Sequence, residues 1–261
     1  MNDTLLLREA RGSVAWLTMN NRAKLNALSD EMLAALQSEF DAIAKDRSVK
    51  AVVLRGAGKA FCAGHDLRQM TEKRQSEDGG AAAFKDLFDR CAEMMMTIRR
   101  MPQPVIASVH GIATAAGCQL VASCDLAVAE EGTRFGVNGV NIGLFCSTPM
   151  VALSRNIARK QAFEMLVTGE FIDAARAREL GLINRVASDL ETESQALAKQ
   201  VASKLGVAVR YGKGAFYDQM EMGLSEAYAF TGDVMVANMA ERDTEEGIAA
   251  FLEKRDPNWE N

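Results

Sequence analysis

Residues 104–120 constrain the fold more than any other part of the chain. They begin with a short apolar run bounded by proline, which predicts a buried strand. A His-Gly turn follows, and small residues then open a predicted helix that carries Gln119 one turn from its start. A strand that ends in a glycine turn and leads into a helix directs several backbone N–H groups at one point. Such an arrangement can bind a ligand oxygen.

The composition is that of an ordinary globular protein with one or two domains. The chain has 261 residues, of which 48% are hydrophobic and 25% are charged, so it can bury a substantial core. A balance of 30 basic and 35 acidic residues gives a net charge of -5, which argues against nonspecific nucleic-acid binding.

Five cysteines without CxxC spacing favour neither a disulfide framework nor a metal site. The first 12 residues lack the features of a signal peptide, and the most apolar stretch, 104–129, is interrupted by polar residues. We therefore expect no membrane association and a cytoplasmic location.

Hydrophobic periodicity predicts an alternating α/β core followed by helices. Residues 4–10 and 13–19 flank a turn and predict a hairpin, and Ser29 is placed to cap a helix. The polar segment 71–80 predicts a mobile loop, 155–167 a helix and 183–186 a strand. Strand patterns fade after about residue 190, so we expect a core over 1–190 and a helical region over 191–261.

Two motifs together resemble those of a known family. Residues 59–67, KAFCAGHDL, follow a predicted strand, and residues 109–120, VHGIATAAGCQL, lie about 50 residues later. Their order and spacing resemble the two oxyanion-hole segments of the crotonase superfamily, also called the enoyl-CoA hydratase/isomerase family. The resemblance covers nearly the whole chain. It implies a spiral of ββα units that binds acyl-CoA, with a C-terminal α-helical region that forms a homotrimer or a dimer of trimers.

The same resemblance implies a site for a thioester. The backbone N–H groups of His65 and Ala116 would bind the thioester oxygen, which becomes negative as an enolate forms. One preorganised donor at such an oxygen is worth about 3 kcal/mol. Coenzyme A would enter as part of the substrate, with no permanently bound cofactor. Further contacts to it are implied at Lys24, Ala63, Asp66, Leu67, Arg68, Cys146, Phe251 and Lys254, of which Phe251 and Lys254 would reach a neighbouring subunit's CoA.

The two glutamates of hydratases are absent from the corresponding positions. By the resemblance they fall on Gln119 and Gly139, and no Asp or Glu lies between residues 132 and 163. An amide can orient water but cannot deprotonate it near neutral pH, and glycine has no side chain. Losing one positioned acid or base typically costs about 10²–10⁴-fold in rate. We therefore expect a family member that is not an efficient enoyl-CoA hydratase.

Several functions remain open from the sequence. The leading hypothesis is an enzyme that stabilises an acyl-CoA enolate. The alternatives are a decarboxylase of malonyl-type acyl-CoA, a non-catalytic acyl-CoA binding or regulatory protein, and a hydratase or isomerase that takes a carboxylate from Glu72 or Glu77. The His65 imidazole suits proton transfer, but we expect its ring to face CoA or solvent. Cys146 either lines the acyl pocket or is an inert buried residue.

Overall fold

The computed structural model describes residues 4–260. The described strands are Leu6–Arg11 (β1), Val14–Met19 (β2), Ala51–Gly56 (β3), Val105–Val109 (β4), Ile112–Thr114 (β5), Leu126–Glu130 (β6), Arg134–Gly136 (β7), Ile172–Asp173 (β8) and Arg185–Ala187 (β9). The described helices are Asp30–Lys45 (α1), Leu67–Lys73 (α2), Ala81–Arg100 (α3), Ala116–Ser123 (α4), Pro149–Asn156 (α5), Arg159–Thr168 (α6), Ala174–Leu180 (α7), Leu190–Ala202 (α8), Gly206–Gln219 (α9), Leu224–Met239 (α10) and Arg242–Glu253 (α11).

The strands form one large and one small sheet. The large sheet has the order β1-β2-β3-β4-β6-β9, in which only the β1–β2 pair is antiparallel. The small sheet has the order β5-β7-β8. Parallel neighbours need crossover connections, and the helices between the strands supply them while covering apolar strand faces. This mixed α/β architecture is the crotonase-like fold that the sequence predicts.

Local sequence patterns explain several element boundaries. The predicted hairpin forms, although its first strand begins at Leu6 and not at residue 4. Ser29 caps α1, because its hydroxyl oxygen accepts a hydrogen bond from the Met32 N–H. Helix α7 ends at Leu180 and is capped by Gly181, whose φ of 87° is the left-handed conformation that glycine adopts readily.

Three predicted elements need correction. The segment 71–80 is not entirely a loop, because Asp66 caps α2 and the helix continues to Lys73. The single helix predicted over 155–167 is two helices, α5 and α6, with Ile157 between them in an extended conformation. The strand predicted over 183–186 occupies 185–187 instead, where the backbone pairs with β6. Patterns of neighbouring residues do not reveal where tertiary packing ends a helix or which residues pair with a distant strand.

Helix α8 covers one face of the large sheet. Leu197 and Ala198 of α8 belong to a buried cluster with Trp16 of β2. The guanidinium groups of Arg11 and Arg55 lie over the Trp16 ring, 4.0 and 4.9 Å from its centroid. Both arginines donate hydrogen bonds to Glu191, in the first turn of α8. The start of α8 is thereby joined to the first three strands.

A buried ion pair joins α9 to the start of β6. Lys213 Nζ lies 2.7 Å from Asp125 Oδ2 and also donates to the carbonyl oxygens of Ile98 and Gln103. Tyr217 donates to the other Asp125 oxygen at 2.9 Å. All three Lys213 donors therefore have acceptors, which a buried ammonium requires.

Helix α10 is apolar but has no buried residue in the single chain. Its exposed hydrophobic residues are Leu224, Tyr228, Met235, Val236 and Met239.

The division of the chain at 190/191 stays a prediction, and residues 1–3 and 261 of the predicted ranges lie outside the described residues. Over residues 4–260, no helix combines the length and apolarity needed to cross a bilayer.

Candidate active site

The two predicted oxyanion-hole segments lie side by side. The Phe61 N–H donates to the Ile112 carbonyl at 3.1 Å, and the Thr114 N–H donates to the Cys62 carbonyl at 3.1 Å. Gly64, in the first segment, has a positive φ of 91°. A Cβ atom at Gly64 would stand 3.4 Å from the Ala116 nitrogen. Position 64, just before His65, therefore lies close to the backbone of Ala116.

Both predicted donor N–H groups lack a hydrogen-bond partner in the described part of the chain. Among residues 4–260, neither the His65 nor the Ala116 N–H donates a hydrogen bond to the protein. Ala116 is the first residue of α4, where backbone donors lack partners within the helix. Ala115, just before it, has the positive φ of 50°, which a residue with a Cβ rarely adopts. Such backbone strain clusters at functional sites, where the surrounding structure enforces it.

The His65 ring is turned into the protein, so the expectation that it faces CoA or solvent is wrong for solvent, and contact with CoA stays a prediction. The ring packs edge-on against Phe88, with the centroids 5.7 Å apart. Nδ1 lies 3.4 Å from the Leu28 carbonyl, and the buried Nε2 has no partner among the described residues. Burial lowers the pKa of the imidazole, while the Leu28 carbonyl opposes that shift. The ring is therefore neutral at pH 7.

Gln119 is a buried amide without a partner. It lies in α4, one turn after Ala116, and is only 5% exposed. No described residue forms a hydrogen bond with its side chain, and its Oε1 is fully buried. Helical side chains lean towards the helix N-terminus, which here carries the Ala116 donor. An unpartnered buried amide is costly in an unliganded protein, so this position is consistent with a ligand contact.

Gly139 and Cys146 occupy one small space. The Gly139 N–H donates to Cys146 Sγ at 3.4 Å, and the Leu144 N–H donates to the Gly139 carbonyl at 2.9 Å. A Cβ at position 139 would lie 2.2 Å from the Leu144 carbonyl oxygen and 2.9 Å from Cys146 Sγ. A side chain at position 139 would therefore require Leu144 or Cys146 to move. Cys146 is buried and burial raises the pKa of its thiol, although the Gly139 N–H opposes the rise.

The segment after His65 is organised around Asp66. Its carboxylate accepts hydrogen bonds from the Arg68 and Gln69 N–H groups at the start of α2 and pairs with Lys24 Nζ at 2.6 Å. Burial alone would raise the Asp66 pKa, but Lys24 and these N–H groups hold it below its ordinary value. Lys24 is therefore already paired. Leu67 and Arg68 are exposed on the same turn, and the Ala63 N–H donates to the Leu25 carbonyl at 3.1 Å.

The remaining predicted residues lie apart from this cluster. Phe251, 81% exposed, and Lys254 are at the end of α11. Within the described chain, no hydrogen bond or ion pair joins them to His65 or Ala116. Glu72 and Glu77 are exposed. A cavity of about 500 Å³ between α8 and α9 contains none of the predicted site residues.

Sequence reasoning missed three features of the site. It did not find the ring contact between Phe88 and His65, the ion pair between Lys24 and Asp66, or the exclusion of a side chain at Gly139. Phe88 lies on helix α3, more than 20 residues from His65 in the sequence, and local sequence patterns give no indication of their contact. At position 139 the sequence shows only that the residue is a glycine. It does not show that the Leu144 carbonyl lies where a side chain would begin.

The chain matches a known protein family over nearly its whole length. The family model described as enoyl-CoA hydratase/isomerase matches residues 9–261. The chain belongs to the enoyl-CoA hydratase/isomerase family. Its fold is similar to the crystal structure of an enoyl-CoA hydratase from Mycobacterium smegmatis, with 52% identity, a TM-score of 0.95, and coverage of 99% of this chain and 100% of that one.

Curated relatives in the family carry different names. The human protein named enoyl-CoA hydratase domain-containing protein 3, mitochondrial, is 45% identical over 93% of this chain and 79% of its own length. Its crystal structure has a TM-score of 0.93, covering 98% of this chain and 100% of that one. The Escherichia coli 2,3-dehydroadipyl-CoA hydratase is 34% identical over 99% of both chains.

Proposed function

We propose that this protein binds an acyl-CoA thioester and stabilises its enolate with the backbone N–H groups of His65 and Ala116. The observation that carries the proposal is the pair of unpartnered donors, the His65 N–H and the Ala116 N–H at the start of α4, on segments that lie side by side. Membership of the enoyl-CoA hydratase/isomerase family supports an acyl-CoA ligand. Coenzyme A is then part of the substrate, and no permanently bound cofactor is required.

The donors act most strongly where charge develops. The carbonyl oxygen of a thioester carries little charge, whereas the oxygen of its enolate is an anion. Backbone donors held by strand pairing need no reorganisation as this charge appears, so they favour the enolate over the ground state. The strained backbone at Ala115 keeps one donor in place. Stabilisation of the enolate oxygen by these two N–H groups needs no acidic or basic side chain.

Efficient enoyl-CoA hydration is not part of the proposal. The neutral amide of Gln119 and the excluded side chain at Gly139 leave water without a general base at these positions. Decarboxylation of a malonyl-type acyl-CoA is the second candidate, because the breaking carbon–carbon bond itself supplies the enolate electrons. A non-catalytic acyl-CoA binding protein is the outcome if binding occurs without turnover.

We also propose a homotrimer or a dimer of trimers. The exposed apolar residues of α10 support burial between subunits. Phe251 and Lys254, which lie away from the donors in their own chain, would then reach a neighbouring subunit's CoA beside Arg68 or Lys24. Cytoplasmic location is the prediction from composition, while several relatives are named as mitochondrial; subcellular fractionation of the source cells distinguishes the two.

Calorimetric titration tests the binding proposal. The protein should bind acetyl-CoA and should bind a CoA analogue with an enolate-like oxygen more tightly. Gly64→Ala places a Cβ 3.1 Å from the Ala115 Cβ, and by displacing the donors it should weaken analogue binding by about 100-fold, the value of one donor. Gly132→Ala is the matched control, because Gly132 also has positive φ but nothing lies within 4 Å of its added Cβ. Absence of binding at millimolar acetyl-CoA would refute the proposal.

A further inference from the structure

Asn26 is a buried amide that joins the segment 21–28 to the end of β3. The residue is fully buried. Its Nδ2 donates to the Ala57 and Ala60 carbonyls, at 2.9 and 2.8 Å, and so uses both amide hydrogens. Its Oδ1 accepts a hydrogen bond from the Asn21 N–H at 2.9 Å. The side chain therefore fixes the segment 21–28 to the loop that follows β3.

The backbone of this segment is strained at two successive residues. Leu25 and Asn26 have φ of 51° and 55°, in the left-handed region where a Cβ is crowded. The Asn26 N–H donates to the Asn21 carbonyl at 2.9 Å, and the Asn21 N–H donates to the Asn26 side chain. Residues in this region persist only where the surrounding contacts enforce the conformation. The Asn26 amide supplies three such contacts.

The same segment is hydrogen-bonded to the backbone that carries His65. The Ala63 N–H donates to the Leu25 carbonyl at 3.1 Å, and the Leu28 N–H donates to the Gly64 carbonyl at 2.7 Å. Leu28 and His65 are paired in an isolated parallel bridge. The strained segment and the first of the two motifs are therefore held together on both sides of the left-handed residues.

The bond from Leu28 acts on the peptide group that contains the predicted donor. The Gly64 carbonyl and the His65 N–H belong to one planar trans peptide group, so they point in opposite directions. Because the Leu28 N–H holds the carbonyl, it also sets the direction of the N–H on the other side. A hydrogen bond accepted by the carbonyl polarises the same peptide group, which strengthens its N–H as a donor.

We propose that Asn26 is a positioning residue for the His65 donor. It acts through the backbone, because its amide fixes the segment 21–28 and Leu28 of that segment fixes the Gly64–His65 peptide group. The inference rests on the proposed function, in which the His65 N–H binds the oxygen of an acyl-CoA enolate. Hydrogen bonds weaken steeply when the donor turns away from the acceptor. Loss of the Asn26 amide should therefore weaken binding of an enolate more than binding of the thioester itself.

The ratio of two dissociation constants tests this inference. Acetyl-CoA and a CoA analogue with an enolate-like oxygen are titrated by calorimetry into the wild-type protein and into Asn26→Gly. Glycine adopts the left-handed conformation without strain, so this variant removes the amide and keeps the backbone permitted. Binding of the analogue should weaken by about 10- to 100-fold, as expected for a displaced donor. Acetyl-CoA should lose far less, because its oxygen carries little charge.

Gln103→Ala is the matched control. Gln103 is also a buried amide whose nitrogen donates to two carbonyls, those of Ile43 and Asp46 at 2.8 and 3.1 Å, but these lie at the end of α1. Loss of this amide should lower the free energy of unfolding and leave the ratio of the two dissociation constants unchanged. An equally large change of the ratio in Gln103→Ala would overturn the inference, because it would reflect general loosening of the fold.

The remaining outcomes separate the inference from the function beneath it. A folded Asn26→Gly protein with the wild-type ratio overturns the positioning role and leaves the binding proposal standing. A wild-type protein that binds the analogue no more tightly than acetyl-CoA, or binds neither, refutes the proposed function itself. If Asn26→Gly does not fold, Asn26→Asp replaces it, because it keeps the acceptor for the Asn21 N–H and loses the amide donors. It should change the ratio in the same direction, and an unchanged ratio again overturns the inference.

Discussion

Gly139 and the Leu144 carbonyl stand so close that no side chain fits between them. The oxygen would lie 2.2 Å from a Cβ at position 139, a separation that neither atom can accept. The contact is held by the hydrogen bond from the Leu144 N–H to the Gly139 carbonyl. The missing side chain is thus a property of the local backbone, and a new side chain cannot be accommodated without moving residues 139–146.

Gly139→Ala should destabilise the fold. The added methyl group must push the Leu144 carbonyl or the Cys146 sulfur away, and overpacking of this kind costs about 1–3 kcal/mol. The free energy of unfolding from a urea titration measures the effect. Gly214→Ala is the control, because Gly214 is in helix α9 with no atom within 4 Å of the added Cβ. The control should be neutral or stabilising by up to about 1 kcal/mol.

Hydration of crotonyl-CoA should be negligible, at least about 100-fold below the rate of an efficient hydratase. Gln119→Glu should fold and supply one carboxylate. Adding Gly139→Glu to it should give no further gain, because the second carboxylate cannot reach its position while the Leu144 carbonyl is in place. Absorbance of the enoyl thioester measures turnover. A large gain on adding the second glutamate would show that residues 139–146 rearrange easily.

Lys213→Met should strongly destabilise the protein. It leaves the Asp125 carboxylate buried without its cation and removes the donor to the Ile98 and Gln103 carbonyls. Breaking one side of a buried ion pair typically costs about 3–5 kcal/mol. Denaturant titration measures the free energy of unfolding. Lys204 is an exposed lysine that lines the same cavity between α8 and α9 as Lys213. As the control, Lys204→Met should change the free energy of unfolding by less than about 0.5 kcal/mol. Equal changes in the two variants would mean that the buried ion pair contributes no more to the free energy of unfolding than a surface lysine does.

The His65 imidazole should titrate below the ordinary histidine pKa of 6.5 in the folded protein. The unfolded chain then binds more protons at this site, so the free energy of unfolding falls as pH decreases from about 6.5 to the folded pKa. The protein has two histidines, and nuclear magnetic resonance of the ring protons follows both. His110→Gln assigns the signals. A His65 midpoint at or above 6.5 would contradict the buried, neutral ring.

Val236→Asp should disrupt the proposed oligomer. Val236 is 71% exposed in the single chain and lies on the apolar helix α10. A charge there would be buried without a partner if α10 packs against another subunit. Light scattering after size-exclusion chromatography should show a smaller assembly than the wild type. Asp233→Asn on the same helix is the control. An unchanged mass for both variants would mean that Val236 of α10 is not part of the interface between subunits.

Local chemistry made much of the fold predictable. The cap at Ser29, the hairpin turn at Gly12 and the helix end at Gly181 each follow from a few adjacent residues, and all three are present. The end of α2 and the break at Ile157 were not predicted, because tertiary packing decides how far a weak helix extends. Asp125, just before β6, accepts a hydrogen bond from the Val105 N–H. Its partner Lys213, 88 residues later, could not be inferred from spacing.

For the candidate site, the resemblance implied two donors, at His65 and Ala116, and the structure places the segments that carry them side by side. Their role as donors to a ligand stays a prediction. The direction of the His65 ring depends on Phe88 of a distant helix, and the space at Gly139 depends on a carbonyl five residues away. The roles of the CoA-binding residues stay predictions.

The attachment of α8 to the first strands has a consequence for biosynthesis. Arg11 and its partner Glu191 are 180 residues apart in the sequence. The tryptophan face of the sheet therefore stays uncovered on the ribosome until most of the chain has emerged. Trp16 and its apolar neighbours are then open to chaperones during translation, and the last quarter of the chain completes a surface that the first residues began.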